Sequence, residues 1–231
     1  RPAAPFTTST LQQEAAKKLG FSARRTMRAA QDLYEGMEVG EEAPVGLITY
    51  MRTDSVRVSD AAIASVREFI GKSYAKPYLP ETPNQYASRG GKVQDAHEAI
   101  RPTDVRRRPE LVQPYLEPDQ FRLYQLIWQR FVASQMTPAV YDMTVVDFDL
   151  GRYLMRTSGS VMIFDGYHVL YTEGREAEEG KGVEDLSPIP PLEVGEQVTV
   201  RQIVPDQHFT EPPPRFSEAS LVKELERLGI G

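Results

Sequence analysis

The sequence predicts an α+β chain in more than one part, helical up to about residue 137 and strand-rich beyond it. Three observations carry that expectation. Apolar residues recur at helical spacing before Pro138 and at every second position after it. Ser, Thr, Pro and Gly punctuate the first part as helix starts and stops. The 231 residues suffice for one large domain or two small ones, and 40% of them are hydrophobic, enough for at least one core.

Thr10 is expected to cap a first helix, with Gln13 at the capping-box position, Leu11, Ala15 and Leu19 on one face and Gly20 as the stop. Ser22 opens a second helix that holds Met27, Ala30, Leu33 and Tyr34 and ends at Gly36. Ser59 or Asp60 starts a third, with Ile63, Val66 and Ile70 before Gly71. Pro118 suits the first turn of a further helix, in which Phe121, Tyr124, Trp128 and Phe131 follow at spacings of three and four. That stripe is read as core, with base stacking on Trp128 and Tyr124 as the alternative.

Beyond Pro138, Tyr141, Met143 and Val145 alternate, followed by Val146, Phe148 and Leu150. Short strands are expected at Val161 and Ile163 and at Val198 and Val200, with turns at Gly151, Gly159 and Gly166. The acidic stretch from Thr172 to Glu184 reads as an exposed loop, and Pro212-Pro213-Pro214 cannot continue a strand. Ser217 caps a last helix with Leu221, Leu225 and Leu228 on one side and Gly229 as its stop. A chain that stops so soon after a helix stop is expected to be cut from a longer protein.

Composition narrows the function classes. No run of eighteen apolar residues argues for a membrane span, and no apolar N-terminal segment argues for a secretory signal. Mean hydropathy of −0.43 is that of a soluble globular chain. Cysteine is absent, which excludes disulfides and thiolate metal sites and permits a reducing compartment. The three histidines, at 97, 168 and 208, are too scattered for a His-rich metal centre, whereas carboxylate sites stay open. The net charge of −6 conceals an asymmetry: residues 1–135 carry 19 Lys and Arg against 16 Asp and Glu. Arg24, Arg25, Arg28, Arg52, Arg57, Arg89, Lys92, Arg101 and Arg106 to Arg108 all lie there, so a local basic surface can meet phosphate on an acidic molecule.

The stretch Gly46-Leu-Ile-Thr-Tyr-Met-Arg-Thr-Asp-Ser55 is the most informative. Its first half is apolar and should run extended, which puts Tyr50, Arg52 and Asp54 on one face with neighbours roughly 6.5 Å apart. A phenol is a poor nucleophile at its ordinary pKa of about 10. A neighbouring guanidinium favours the phenolate and can hold the non-bridging oxygens of a phosphodiester. The competing reading of Tyr50 is a plain packing or surface residue. A second stretch, Asp95-Ala-His-Glu-Ala-Ile-Arg-Pro-Thr103, offers His97 and Arg101 as a phosphate clamp. Pro102 biases Arg101 away from helix, and His97 can equally be a satisfied structural residue.

At these residues the chain resembles a family. GLITYMRTDS at 46–55, QYAS at 85–88, AHEAIRPT at 96–103 and FTEPPPRFSEASLVKELERLGIG at 209–231 resemble bacterial DNA topoisomerases of type IA. So do FTTSTLQQEAAKKLGFSARRTMRAAQDLYEG near the start and YQLIWQRFVASQMTPA at 124–139, and the resemblance runs through essentially the whole chain in the family's order.

The resemblance implies a helical domain, residues 11–137, that carries the active-site tyrosine and is inserted in a β-rich arch domain of the type IA toroid. The arch would comprise residues 1–10 and 138–208, and residues 209–231 would begin a further helical domain. It implies that Tyr50 forms a 5′-phosphotyrosine, that Arg52 contacts the scissile phosphate, and that His97 contacts a phosphate near the active site, while Arg101 is expected to bind DNA on the clamp reading above. The parent would relax negatively supercoiled DNA through a single-stranded segment, without ATP, as a cytoplasmic, nucleoid-associated monomer. Its Mg²⁺ would be held by a Toprim domain that precedes this region, so the chain alone is expected to bind no metal and to be inactive in cleavage. Two other readings stand beside this one. A single-stranded-DNA-binding module would use the same basic residues, and a tyrosine-recombinase-like transferase would make a 3′ link and normally present more Arg and His.

Overall fold

A computed structural model describes residues 1–40, 43–87, 97–175, 186–210 and 212–230, and mixes helix with sheet. In chain order the elements are α1 (Thr8–Leu19), α2 (Ala23–Glu35), α3 (Asp60–Ser73), α4 (Pro109–Val112), α5 (Pro118–Ser134), β1 (Val140–Asp149), β2 (Leu154–Phe164) and α6 (Glu218–Leu228). They fall into two compact units. The first contains residues 1–140, 164–179 and 217–231, and the second contains residues 141–163 and 180–216.

In the first unit, local chemistry sets most helix ends. The α1 cap is Thr7 rather than Thr10. The Thr7 hydroxyl accepts from the Thr10 amide at 3.3 Å, and the Thr7 amide donates to the Thr10 hydroxyl at 2.9 Å. Thr10 is thus the third helical residue of a Thr–x–x–Thr box, a reciprocal pair as good as the Thr–Gln spacing one turn on. Gly20 closes the helix in the left-handed region, at φ 67°. Ser22 caps α2, and Pro118 occupies the first turn of α5 behind a Glu117–Gln120 box. Gly71 does not stop α3, which runs two residues further to Ser73.

Helix α1 lies against α2, α5 and α6, and α5 also meets α2 and α4. Phe6, Leu11, Leu33, Ile70, Leu123 and Phe131 are fully buried among them. Tyr124 and Trp128 belong to this core rather than to a stacking surface, and both polar tips are satisfied. The Trp128 indole donates to the Val105 carbonyl at 2.9 Å, and the Tyr124 hydroxyl donates to that of Arg107 at 2.6 Å. One charged cluster is buried at Arg130 and Glu14 and reaches the surface at Glu173. Arg130 donates to the Ala4 carbonyl (2.5 Å), Glu173 (2.5 Å) and the Tyr171 hydroxyl (3.1 Å), and that hydroxyl donates to Glu14 at 2.7 Å. Each member has a partner, as burial of ionised groups requires.

The last helix differs from expectation in how it docks. Ser217 caps α6 as its position suggests, yet Leu221 and Leu228 stay exposed and Ala219 is the residue buried. Polar contacts hold the helix instead: the Ser9 hydroxyl donates to Glu226 at 2.6 Å and the Ala23 amide to Glu218 at 3.2 Å.

In the second unit, β1 and β2 pair in a two-stranded sheet. Their turn passes through Gly151 at φ 76°, and the Leu150 amide donates to the Tyr153 carbonyl at 2.9 Å. Gly159 makes no turn and lies inside β2. A Cβ there would stand 2.5 Å from the Ser187 carbonyl oxygen, so the glycine serves a close backbone approach. Val161 and Ile163 continue the same strand, while Val198 and Val200 form none among the described residues. Gly166 opens a short 3₁₀ turn in the first unit. No helix among the described residues is long and apolar enough to cross a membrane.

Candidate active site

Residues 46–57 form a strap held by backbone and threonine hydrogen bonds on both sides. On one side, the Leu47 carbonyl accepts from the Thr103 amide at 3.0 Å, and the Thr49 amide donates to the Arg101 carbonyl at 2.9 Å. The Thr49 hydroxyl donates to the Ala99 carbonyl at 2.7 Å and accepts from the Arg101 amide at 3.0 Å. On the other side, the Thr8 amide donates to the Thr53 carbonyl at 2.9 Å, and the Thr8 hydroxyl donates to the Met51 carbonyl at 2.7 Å. The Thr53 amide returns to that hydroxyl at 2.8 Å.

From Tyr50 to Ser55 the strap alternates as an extended chain should, although its backbone bends at Met51 and Arg52. Met51, Thr53 and Ser55 are buried, and Tyr50, Arg52 and Asp54 are exposed. Buried odd positions anchor the strap, and the even positions present a phenol, a guanidinium and a carboxylate to solvent. The Tyr50 ring is 42% exposed. Neither the Tyr50 hydroxyl nor the Arg52 guanidinium has a hydrogen-bond or ion-pair partner among the described residues.

His97 is brought to Tyr50 from 47 positions along the chain, edge to face with ring centroids 6.0 Å apart. A residue that sequence reasoning assigned only to the inside of a helix joins them. Tyr34, in the last turn of α2, meets the Tyr50 ring edge to face at 5.4 Å. Periodicity shows only that Tyr34 is near an apolar helix face, and nothing in it signals a partner sixteen residues on. Gly46 explains the closeness of approach. A Cβ there would stand 2.6 Å from the Tyr34 carbonyl oxygen, and the next amide, of Leu47, donates to the Leu33 carbonyl at 2.7 Å.

Arg101 is placed differently from Arg52. Its guanidinium pairs with Glu98 at 2.6 Å and donates to the Pro102 carbonyl at 3.0 Å, with only 13% of the side chain exposed. Its backbone meets the strap, while its charge is engaged locally. Ser88, Arg89, Lys92 and Asp95 lie outside the described residues. No group of three or more His, Asp or Glu that could hold a metal ion occurs among the described residues. The donors here therefore do not fit an Mg²⁺ site, which takes several oxygen ligands.

The fold and this strap define a mixed helix-and-sheet protein with an exposed tyrosine packed against an imidazole, two residues from a guanidinium that has no partner among the described residues. The chain belongs to the DNA topoisomerase family, of type IA: the family model described as DNA topoisomerase matches residues 1–231. It is 48% identical over 232 aligned positions to DNA topoisomerase 1 of Xylella fastidiosa strain Temecula1, covering 100% of this chain and 28% of that protein. It is 49% identical over 233 positions to DNA topoisomerase 1 of Rickettsia felis, covering 100% of this chain and 30% of that one. Full-length topoisomerase I from Thermotoga maritima superposes with a TM-score of 0.79 at 43% identity, over 100% of this chain and 36% of the other. The chain thus spans less than a third of the length of the curated relatives it matches.

Proposed function

We propose that this chain carries the nucleophile of a type IA DNA topoisomerase that relaxes negatively supercoiled DNA by cutting and resealing one strand. In this reading the Tyr50 oxygen attacks the scissile phosphorus in line. The phosphorus–O3′ bond breaks, the 3′-oxygen leaves and takes up a proton, and a 5′-phosphotyrosine keeps the energy of the broken bond. Resealing is the reverse attack by the 3′-hydroxyl, which is why no ATP is consumed. Arg52 holds the non-bridging oxygens of the phosphate, and His97 and Arg101 contact DNA near the cut. The demand on the protein is positioning and charge stabilisation, as in other phosphoryl transfers.

The observation that carries the reading is the strap itself: Tyr50 and Arg52 are exposed while Met51, Thr53 and Ser55 are buried anchors. The domain assignment belongs to the same proposal, with a tyrosine-bearing helical domain at 11–137 inserted in an arch formed by 1–10 and 138–208. So do the Mg²⁺ supplied by the parent's Toprim domain, the monomeric state, the cytoplasmic, nucleoid-associated setting and the inactivity of this chain alone. Single-stranded DNA binding without cleavage is the second reading for the isolated chain, and the exposed Arg52, without a partner among the described residues, favours it.

The test uses end-labelled single-stranded oligonucleotide and a denaturing gel. The full-length polypeptide that contains this chain should give a covalent adduct on the 5′ end of the downstream fragment, so that only a 3′-end label shifts, and Tyr50→Phe should give none. An adduct from Tyr50→Phe would show that another residue is the nucleophile. A 3′ linkage would point instead to a recombinase-like transferase.

A further inference from the structure

We propose that Tyr34 is a positioning residue for Tyr50, a role that rests on the reading of Tyr50 as nucleophile. An in-line attack needs the phenol oxygen held on one trajectory, and small errors of placement cost large factors in rate. The backbone of Tyr50 is fixed by the strap, but its side chain is exposed and its hydroxyl makes no hydrogen bond among the described residues. What limits the ring is therefore contact with other rings. Tyr34 stands edge to face with it at 5.4 Å and an interplanar angle of 63°, and His97 does the same at 6.0 Å and 61°.

Tyr34 is held through its backbone, although its ring is 40% exposed. It sits on a regular helix whose Leu33 carbonyl accepts from the Leu47 amide at 2.7 Å, and its own carbonyl abuts Gly46, four residues before the nucleophile. The end of α2 is thereby registered against the strap, and the ring it presents limits the torsion of Tyr50. The contact belongs to the ring rather than to the Tyr34 hydroxyl, because edge-to-face pairs draw on the aromatic quadrupole.

The experiment uses the full-length polypeptide containing this chain, with single-turnover cleavage of a labelled single-stranded oligonucleotide at saturating protein and affinity measured separately by anisotropy. Tyr34→Ala should slow adduct formation roughly three- to tenfold at unchanged Kd, as expected for loss of one aromatic pair. Tyr34→Leu, which keeps the bulk, should be slowed alike, and Tyr34→Phe should recover the rate. Should Tyr34→Ala fold poorly, the Leu and Phe pair decides alone. Unchanged rates in the Ala and Leu variants, alongside a Tyr50→Phe protein that forms no adduct, would overturn the role of Tyr34 and leave the nucleophile standing. Weakened affinity at an unchanged rate would overturn it too, since Tyr34 would then hold DNA rather than Tyr50. An adduct from Tyr50→Phe would remove both readings together.

Discussion

Thr8, the first residue of α1, holds the backbone of Thr53 in both directions: its amide donates to the Thr53 carbonyl at 2.9 Å, and its hydroxyl accepts from the Thr53 amide at 2.8 Å. The same hydroxyl donates to the Met51 carbonyl, the residue after the candidate nucleophile. Thr8→Val keeps the shape and removes the hydroxyl, leaving a part-buried donor and acceptor unmatched. A loss of roughly 1–3 kcal/mol is expected by chemical denaturation, with slower cleavage by the full-length protein. Unaltered stability would mean that water replaces the hydroxyl at no cost.

Trp128 is 5% exposed and meets Phe69 edge to face at 5.5 Å while donating to Val105. Trp128→Ala should destabilise the first unit by roughly 3–5 kcal/mol, because it opens a cavity and orphans a carbonyl. Equilibrium unfolding measures this directly. A melting temperature within a degree or two of the parent would show that the indole is not part of the core.

Tyr86 is the pH-sensitive element. Its hydroxyl lies between the carbonyls of Ser134 (2.8 Å) and Pro2 (3.0 Å) and shares its one proton between them, and burial pushes its pKa from the usual 10.0 up to about 12. Burial also raises Tyr124 and Tyr171. A group raised in the folded state contributes stability that is complete below its unfolded pKa and is lost as pH climbs through the folded one. Stability should therefore hold up to about pH 10 and fall between 10 and about 12. Denaturation midpoints across that range, set against Tyr86→Phe, check it, and the variant should show the shallower decline.

Arg52 is expected to act through charge. If it meets phosphate, Arg52→Ala should reduce the salt dependence of single-stranded DNA binding by about 0.7 in the log–log slope, without lowering the melting temperature. Arg101→Ala should lower the slope as well and in addition lower stability, since its guanidinium also pairs with Glu98 and Pro102. Removing it should leave Glu98 unpaired and cost stability. Equal salt slopes for Arg52→Ala and the parent would take Arg52 out of the phosphate contact.

The elements that local chemistry dictates were legible in the sequence. Ser22, Ser59, Pro118 and Ser217 mark real helix starts, and Gly20, Gly36 and Gly229 mark real ends. A cap depends only on residues three apart, so this information lies within one turn. Where two local solutions compete, as Thr7 and Thr10 do, the sequence does not rank them. Where a glycine serves a distant neighbour, as Gly159 does for Ser187, it reads falsely as a turn. Val198 and Val200 carry the strand pattern, but a strand also needs a hydrogen-bonding partner, which alternation cannot specify.

For the candidate site, the strap pattern by itself determined which side chains share a side: in an extended chain Tyr50, Arg52 and Asp54 fall together, and which side faces solvent was set by the burial of Met51, Thr53 and Ser55 in the tertiary structure. Only the tertiary structure decided what surrounds them. Tyr34 and His97 reach the Tyr50 ring from 16 and 47 positions away, and Glu98 takes the charge of Arg101. Those relationships come from packing α2 and the 97–103 segment against one strap. Contacts between residues so far apart leave no periodic trace in the residues that make them.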